Sequence, residues 1–166
     1  MSNALIAALL EVERHVGRLG WDQPARLFSL VRTTDLLAAE PSLAQHLAGA
    51  KPDGFSSIEQ EDFRSGADLG ETLARMAWPT TVAGCALALE RVFLPSGADV
   101  GLPEDPDAAA ALVANHPQRM DLRVVVGATR DGRRHAVARV RGEDSHLLSD
   151  PNLVPALAEA LAHTLE

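Results

Sequence analysis

Cysteine is nearly absent from this 166-residue chain: the only one is Cys85, so no intrachain disulfide can form and stability must come from packing. A domain of this length buries roughly 70% of its unfolded surface and needs no covalent staple. Aromatic side chains are also few, four Phe and two Trp with no Tyr, which removes the stacking platform that single-strand nucleic-acid binders use. No apolar run approaches the roughly 20 residues needed to cross a bilayer. Glu11 and Glu13 follow directly on the apolar stretch Ala4 to Leu10, an order unlike that of a secretory signal. A soluble, cytoplasmic protein without a membrane role is expected. HExxH, CxxC, GxSxG, Walker-type and GxGxxG segments are all missing. The six histidines (His15, His46, His116, His135, His146 and His163) are scattered, with no two spaced to share one helix face. No cofactor or metal is expected, and the missing motifs weigh against an enzyme without closing the question.

Charge is present in excess of one sign. The net charge of −8 argues against nucleic acid or an anionic membrane as the main partner. Yet seven of the 15 basic residues fall between Arg119 and Arg141, giving that segment +5 and the remainder −13.

The same segment carries the clearest structural signal. Two apolar runs flank Arg130-Asp131-Gly132, which is hairpin chemistry. A two-residue loop would mix charge into both faces. A three-residue loop with Gly132 in the left-handed position pairs Val126 with Ala136, Val124 with Ala138 and Leu122 with Val140, leaving one clean apolar face. The guanidinium groups are then expected outside.

Along the rest of the chain, Leu5, Leu9, Val12 and Val16 form a helical stripe. Arg26 to Val31 reads as a strand, Thr34 as the cap of a brief helix stopped by Pro41, and Ser42 with Gln45 as a capping box. Ser57 to Phe63 suits either strand or helix, and strand is favoured. Leu69, Leu73 and Met76 suggest a helix ending before Trp78-Pro79. Cys85 to Leu94 has the look of a central strand covered on two sides. Pro95 to Glu104 reads as a surface loop, and Asp105-Pro106 as the start of a helix through Asn115. Asp150-Pro151 opens the last helix, with a kink or restart at Pro155. The expected fold is a single α+β domain, 1–166, with a mostly antiparallel sheet of four to five strands. Its N- and C-terminal helices are expected to cover the small-residue face made by Val124, Val126, Ala136, Ala138 and Val140.

Candidate functional residues follow from charge and shape. In the chosen register Arg123 faces Arg139, a like-charge contact that calls for an anion or carboxylate between them. The partner is either external or one of the chain's own acids. Arg133, Arg134 and Arg141 complete a basic hairpin surface, and Trp21 and Trp78, each beside turn residues, are either binding anchors or plugs at the core's ends. Glu59 and Glu61 would share one face of a strand, as paired carboxylates or as a solvated edge. Glu90 and Arg91 interrupt a buried-looking strand and point to opposite faces, so each needs its own partner. Cys85 reads as a buried small hydrophobe. The leading expectation is a non-enzymatic protein-binding module, an adaptor or chaperone-like holder, with a homodimer compatible. The alternatives are a small enzyme whose site is assembled from Glu59, Glu90 and a histidine such as His135, and an anion- or nucleotide-sensing domain at the arginines.

Trp21-Asp22-Gln23-Pro24 with Leu27-Phe28, then Glu59-Gln60, Trp78-Pro79, Val82-Ala83-Gly84-Cys85-Ala86, Glu90-Arg91, Arg130-Asp131-Gly132-Arg133-Arg134-His135 and Leu153-Val154-Pro155 form an ordered set. It resembles a family of uncharacterised short acidic proteins from actinobacteria. The resemblance spans nearly the whole chain and implies lineage and single-domain status, but no catalytic residue.

Overall fold

The computed structural model describes residues 3–43, 54–64, 69–93, 105, 107–108 and 120–166. Helix α1 (Asn3–Gly17) leads into strand β1 (Arg26–Arg32), helix α2 (Thr33–Ala39) and a 3-10 turn at Pro41–Leu43. Strand β2 (Phe55–Glu59), helix α3 (Leu69–Ala74), the long strands β3 (Gly84–Phe93) and β4 (Met120–Thr129), then β5 (Arg134–Val140), β6 (Glu143–Asp150) and helix α4 (Pro155–Thr164) follow. The strands make one antiparallel sheet in the order β2-β1-β3-β4-β5-β6. The fold is α+β with six strands and four helices among the described residues. No described helix is long and apolar enough to cross a membrane.

The β4–β5 hairpin has the expected three-residue loop. Leu122 pairs with Val140, Val124 with Ala138 and Val126 with Ala136, and Gly132 has φ +91°. Gly132 N–H donates to the Thr129 carbonyl and Thr129 N–H to the Arg133 carbonyl, closing the turn over a residue that only glycine adopts without strain. β3 and β4 are covered on both faces, so their side chains divide by parity between two cores. One core joins Cys85, Leu87, Val124, Val126, Ala136 and Ala138 to Leu73 of α3, Leu161 of α4 and Leu165 just past the end of α4. The other joins Phe28, Leu30, Ala86, Ala88, Val125 and Val137 to Leu5, Leu9, Val12 and Val16 of α1. Burying each such Leu or Val stabilises by about 1.5–3 kcal/mol. Gly127 lets α1 lie close: a Cβ there would stand 2.7 Å from Leu9 Cδ2 and 3.2 Å from both Leu5 Cδ1 and the Cys85 carbonyl.

Several expectations are corrected. The terminal helices do not share a face; α4 covers the Val124–Ala138 side and α1 the opposite one, because β4 is apolar on both. The sheet has six strands rather than four to five. β6, with the polar sequence EDSHLLSD, joins through its main chain at an edge, where apolar alternation is not required. Asp150 therefore ends a strand instead of opening a helix, and α4 restarts at Pro155, whose missing N–H costs nothing in the first turn. Thr34 is not the cap of α2. The helix begins at Thr33 after Arg32, with no side-chain cap. β2 stops at Glu59 and Glu61 lies in a turn, so those two carboxylates do not share a strand face.

Ser42 lies in the 3-10 turn, but Gln45 is outside the described residues, as are Pro95–Glu104, expected as a loop, and residues 109–115 of the helix expected after Asp105-Pro106. Asp105 Oδ2 accepts from the Ala108 N–H at 3.1 Å, the hydrogen bond expected of a helix N-cap.

Candidate functional site

Antiparallel register sets a row of charged residues across the α1 face of the sheet. Glu90 on β3 faces Arg123 on β4, and Arg123 faces Arg139 on β5. Two guanidinium groups side by side repel unless an anion joins them. Here Glu13 does so. It lies one residue beyond Val12 on the edge of the apolar stripe of α1, and docking that stripe carries its carboxylate down onto the arginines. Arg139 Nε donates to Glu13 Oε1 at 2.9 Å and Nη2 to Oε2 at 3.3 Å, while Arg123 Nη1 stands 3.5 Å from Oε1. Arg123 is only 5% exposed, which corrects the expectation for that residue, while Arg130, Arg134 and Arg141 do lie exposed. Its Nη2 donates to the Gly20 carbonyl at 3.2 Å, and its buried Nε has no hydrogen-bond partner among the described residues.

Trp21 extends the cluster. The Arg123 Cζ lies 4.3 Å from the Trp21 ring centroid and the Arg141 Cζ 5.3 Å, both within cation–π range. Arg141 in turn grips Asp22 with two bonds, Nη1 to Oδ1 at 3.1 Å and Nη2 to Oδ2 at 3.3 Å. Asp22 takes φ +65°, a conformation its short polar side chain tolerates. Glu90 Oε2 accepts the Gln23 N–H at 2.8 Å, pinning the same loop from the other side. The result is an open groove of about 560 Å³ lined by Glu13, Arg14, Arg18, Trp21, Arg123 and Arg139. Four of these six carry positive charge and one negative. Arg14 and Arg18 are exposed, and neither side chain has a hydrogen bond or ion pair among the described residues.

The other sequence candidates lie elsewhere. Arg133 holds Asp131 beside the hairpin turn, with Nη2 to Oδ2 at 2.8 Å, and Arg134 is exposed on the α4 side. With Thr129 also donating to it, Asp131 has its pKa lowered to about 2, chiefly by Arg133. Trp78 is half-buried against the α4 core, and its Nε1 donates to Thr164 Oγ1 at 2.9 Å. Cys85 is fully buried; burial raises its thiol to about 11 against smaller opposing effects of Thr164, Trp78 and Arg130.

The three residues of the alternative enzyme site do not meet. Glu59 and His135 share a row, but β1, β3 and β4 separate them, about 19 Å at the usual strand spacing. His135 Nε2 lies 2.7 Å from Ser149 Oγ, and burial lowers its pKa against the pull of Asp150. Glu59 instead accepts from Arg26 at 2.7 Å and stands 3.6 Å from His15, at the side of an open cleft of about 640 Å³. Among the described residues no group of three or more His, Cys, Asp or Glu is placed to hold a metal.

Residues that sequence reasoning passed over are Glu13, Arg14, Arg18 and Arg130. Glu13 had a visible signal, a charge four residues after Leu9 on the margin of the apolar stripe. Arg130 had none; its guanidinium donates to the carbonyls of Val82, Trp78 and Pro79 at 2.7, 3.0 and 2.8 Å and to that of Leu165, tying the end of α4 to the turn before β3.

A family model matches residues 5–166, and the chain belongs to the family described as PPA1309-like protein, a description that carries no activity. No curated protein and no solved structure matches it significantly.

Proposed function

We propose that this member of the PPA1309-like family is a non-enzymatic binding module, an adaptor or chaperone-like holder, that engages a protein partner through the arginine–Trp21 groove. The supporting observation is Arg14 and Arg18, two exposed cations unpaired among the described residues, beside an inward-facing network in which Glu13 is already engaged. Trp and Arg together are the residues most often found to anchor protein interfaces. An actinobacterial source, a single domain over 1–166, a cytoplasmic setting and a homodimer in some states belong to the same proposal.

The test is affinity capture from native lysate with wild-type protein, with Arg14→Glu/Arg18→Glu, and with the charge-matched control Arg75→Glu/Arg91→Glu outside the groove. The expected result is a stoichiometric partner lost only with the groove variant. Identical capture by all three proteins rules the reading out.

A second reading, anion or nucleotide sensing, draws on the buried Nε of Arg123, which has no hydrogen-bond partner among the described residues. It predicts salt-sensitive thermal stabilisation by nucleotides or phosphates.

A further inference from the structure

Resting on that reading of the groove, we infer that its ligand is an extended peptide with acidic residues at alternate positions, one carboxylate on Arg14 and the next on Arg18.

Three observations carry this. First, the chain already demonstrates how these guanidinium groups take carboxylates. Arg139 holds Glu13 through Nε and Nη2, and Arg141 holds Asp22 through its two terminal nitrogens; both are two-point contacts that suit a planar carboxylate. Second, spacing selects the motif. Arg14 lies in the last turn of α1 and Arg18 one residue past its end, where the Arg18 N–H still donates to the Arg14 carbonyl at 3.2 Å, so the two stand one turn apart, about 6 Å along the axis at 1.5 Å per residue. Alternate side chains on one face of an extended peptide are about 6.7 Å apart, while consecutive ones point to opposite sides. Third, the groove lies at the carbonyl end of α1. The Gly20 carbonyl points at Arg123, and Arg14 and His15 stand in the helix's last turn. A compact polyanion such as a phosphate is favoured at the N–H end of a helix and disfavoured here. Single charges spread along an open groove can reach the arginine heads and keep clear of those carbonyls.

The experiment uses fluorescein-labelled nine-residue peptides and reads anisotropy on the intact protein. One carries four glutamates at alternate positions among alanines; its isomer carries the same four in one block. Inorganic tripolyphosphate is the unlabelled competitor. The expected result is at least fivefold tighter binding of the alternating peptide. It should weaken at least tenfold in Arg14→Glu/Arg18→Glu and be unchanged in Arg75→Glu/Arg91→Glu, with circular dichroism confirming that each variant is folded. Tripolyphosphate should compete poorly at equal charge concentration. Equal binding of the two peptides, binding indifferent to Arg14 and Arg18, or tripolyphosphate displacing the peptide tenfold better than unlabelled peptide would each overturn the inference. If neither peptide binds while lysate capture still depends on the groove, the motif is wrong and the binding reading survives. If the alternating peptide binds but capture does not depend on the groove, the motif holds and the assigned function falls.

Discussion

Arg123 and Arg139 stand directly opposite each other on β4 and β5, and the carboxylate of Glu13, 126 residues before Arg139, is held against both. Two like charges in adjacent strands therefore depend on a helix from the other end of the chain.

Glu13→Gln keeps the shape of the side chain and removes its charge, leaving a buried cation without its counterion. A loss of about 3–5 kcal/mol is expected from the urea midpoint. Adding Arg139→Gln should recover part of it, because the two changes act on one network.

Gly127→Ala would press a methyl group onto Leu9 and Leu5 under α1. Destabilisation of about 1–3 kcal/mol is expected, as for other overpacked cores. In the Leu9→Ala background the same change should cost less, since the truncation opens the space; a double-mutant cycle by chemical denaturation reads the difference.

Cys85 should resist thiol reagents in the native protein at pH 8 and react fully once unfolded. Its folded pKa is raised from 9.0 to about 11, so the folded state favours the thiol. The contribution is fully present below pH 9 and is lost as pH rises towards 11, by at most about 3 kcal/mol. Wild-type and Cys85→Ala unfolding curves should diverge over that window and run parallel below it.

Asp131 runs in the opposite sense. Its folded pKa is lowered from 3.8 to about 2, chiefly by Arg133, so its contribution is present above pH 3.8 and is lost as pH falls through 2. The pair is exposed to solvent, and Asp131→Asn should cost less than about 1 kcal/mol. Carboxyl-carbon NMR titration of Asp131 tests the pKa directly, and a midpoint near 4 would refute it.

Arg130→Met should free the end of α4 and the turn before β3, at about 2 kcal/mol for the lost charge-assisted bonds. Amide exchange should quicken at residues 78–83 and 161–166 while the central amides of β4 and β5 stay protected.

How much of this was legible depended on how local the determining physics was. The hairpin register could be read because a slip would set Arg139 opposite Val124 and Arg141 opposite Leu122, on the face that must be apolar. Cys85 to Leu94 announced a central strand by being apolar in both parities except at Glu90 and Arg91. β6 could not be read, since an edge strand held by main-chain bonds needs no apolar alternation and Glu143 to Asp150 has little. Pro151 and Pro155 both offer a helix start, and only pairing of Asp150 with Ala136 decides between them. The site was half visible. Opposed arginines predicted an anion, but which acid met them depended on where α1 docks, and nothing near Glu13 in the chain encodes Arg123. The same distance hid the separation of Glu59 from His135 and the meeting of Glu59 with His15.

The docking of α1 has a consequence for biosynthesis. The helix is made before every strand it docks on, and β4 and β5, which bring Arg123 and Arg139 to Glu13, are made more than a hundred residues after it. At roughly 5–20 residues per second, translation from residue 13 to residue 139 takes roughly 6–25 s, during which α1 can meet Phe28, Leu30, Ala86 and Ala88 but lacks Val125 and Val137. The apolar stripe of α1 is therefore incompletely covered before the β4–β5 hairpin emerges, and a chaperone shielding Asn3–Gly17 would act in that interval.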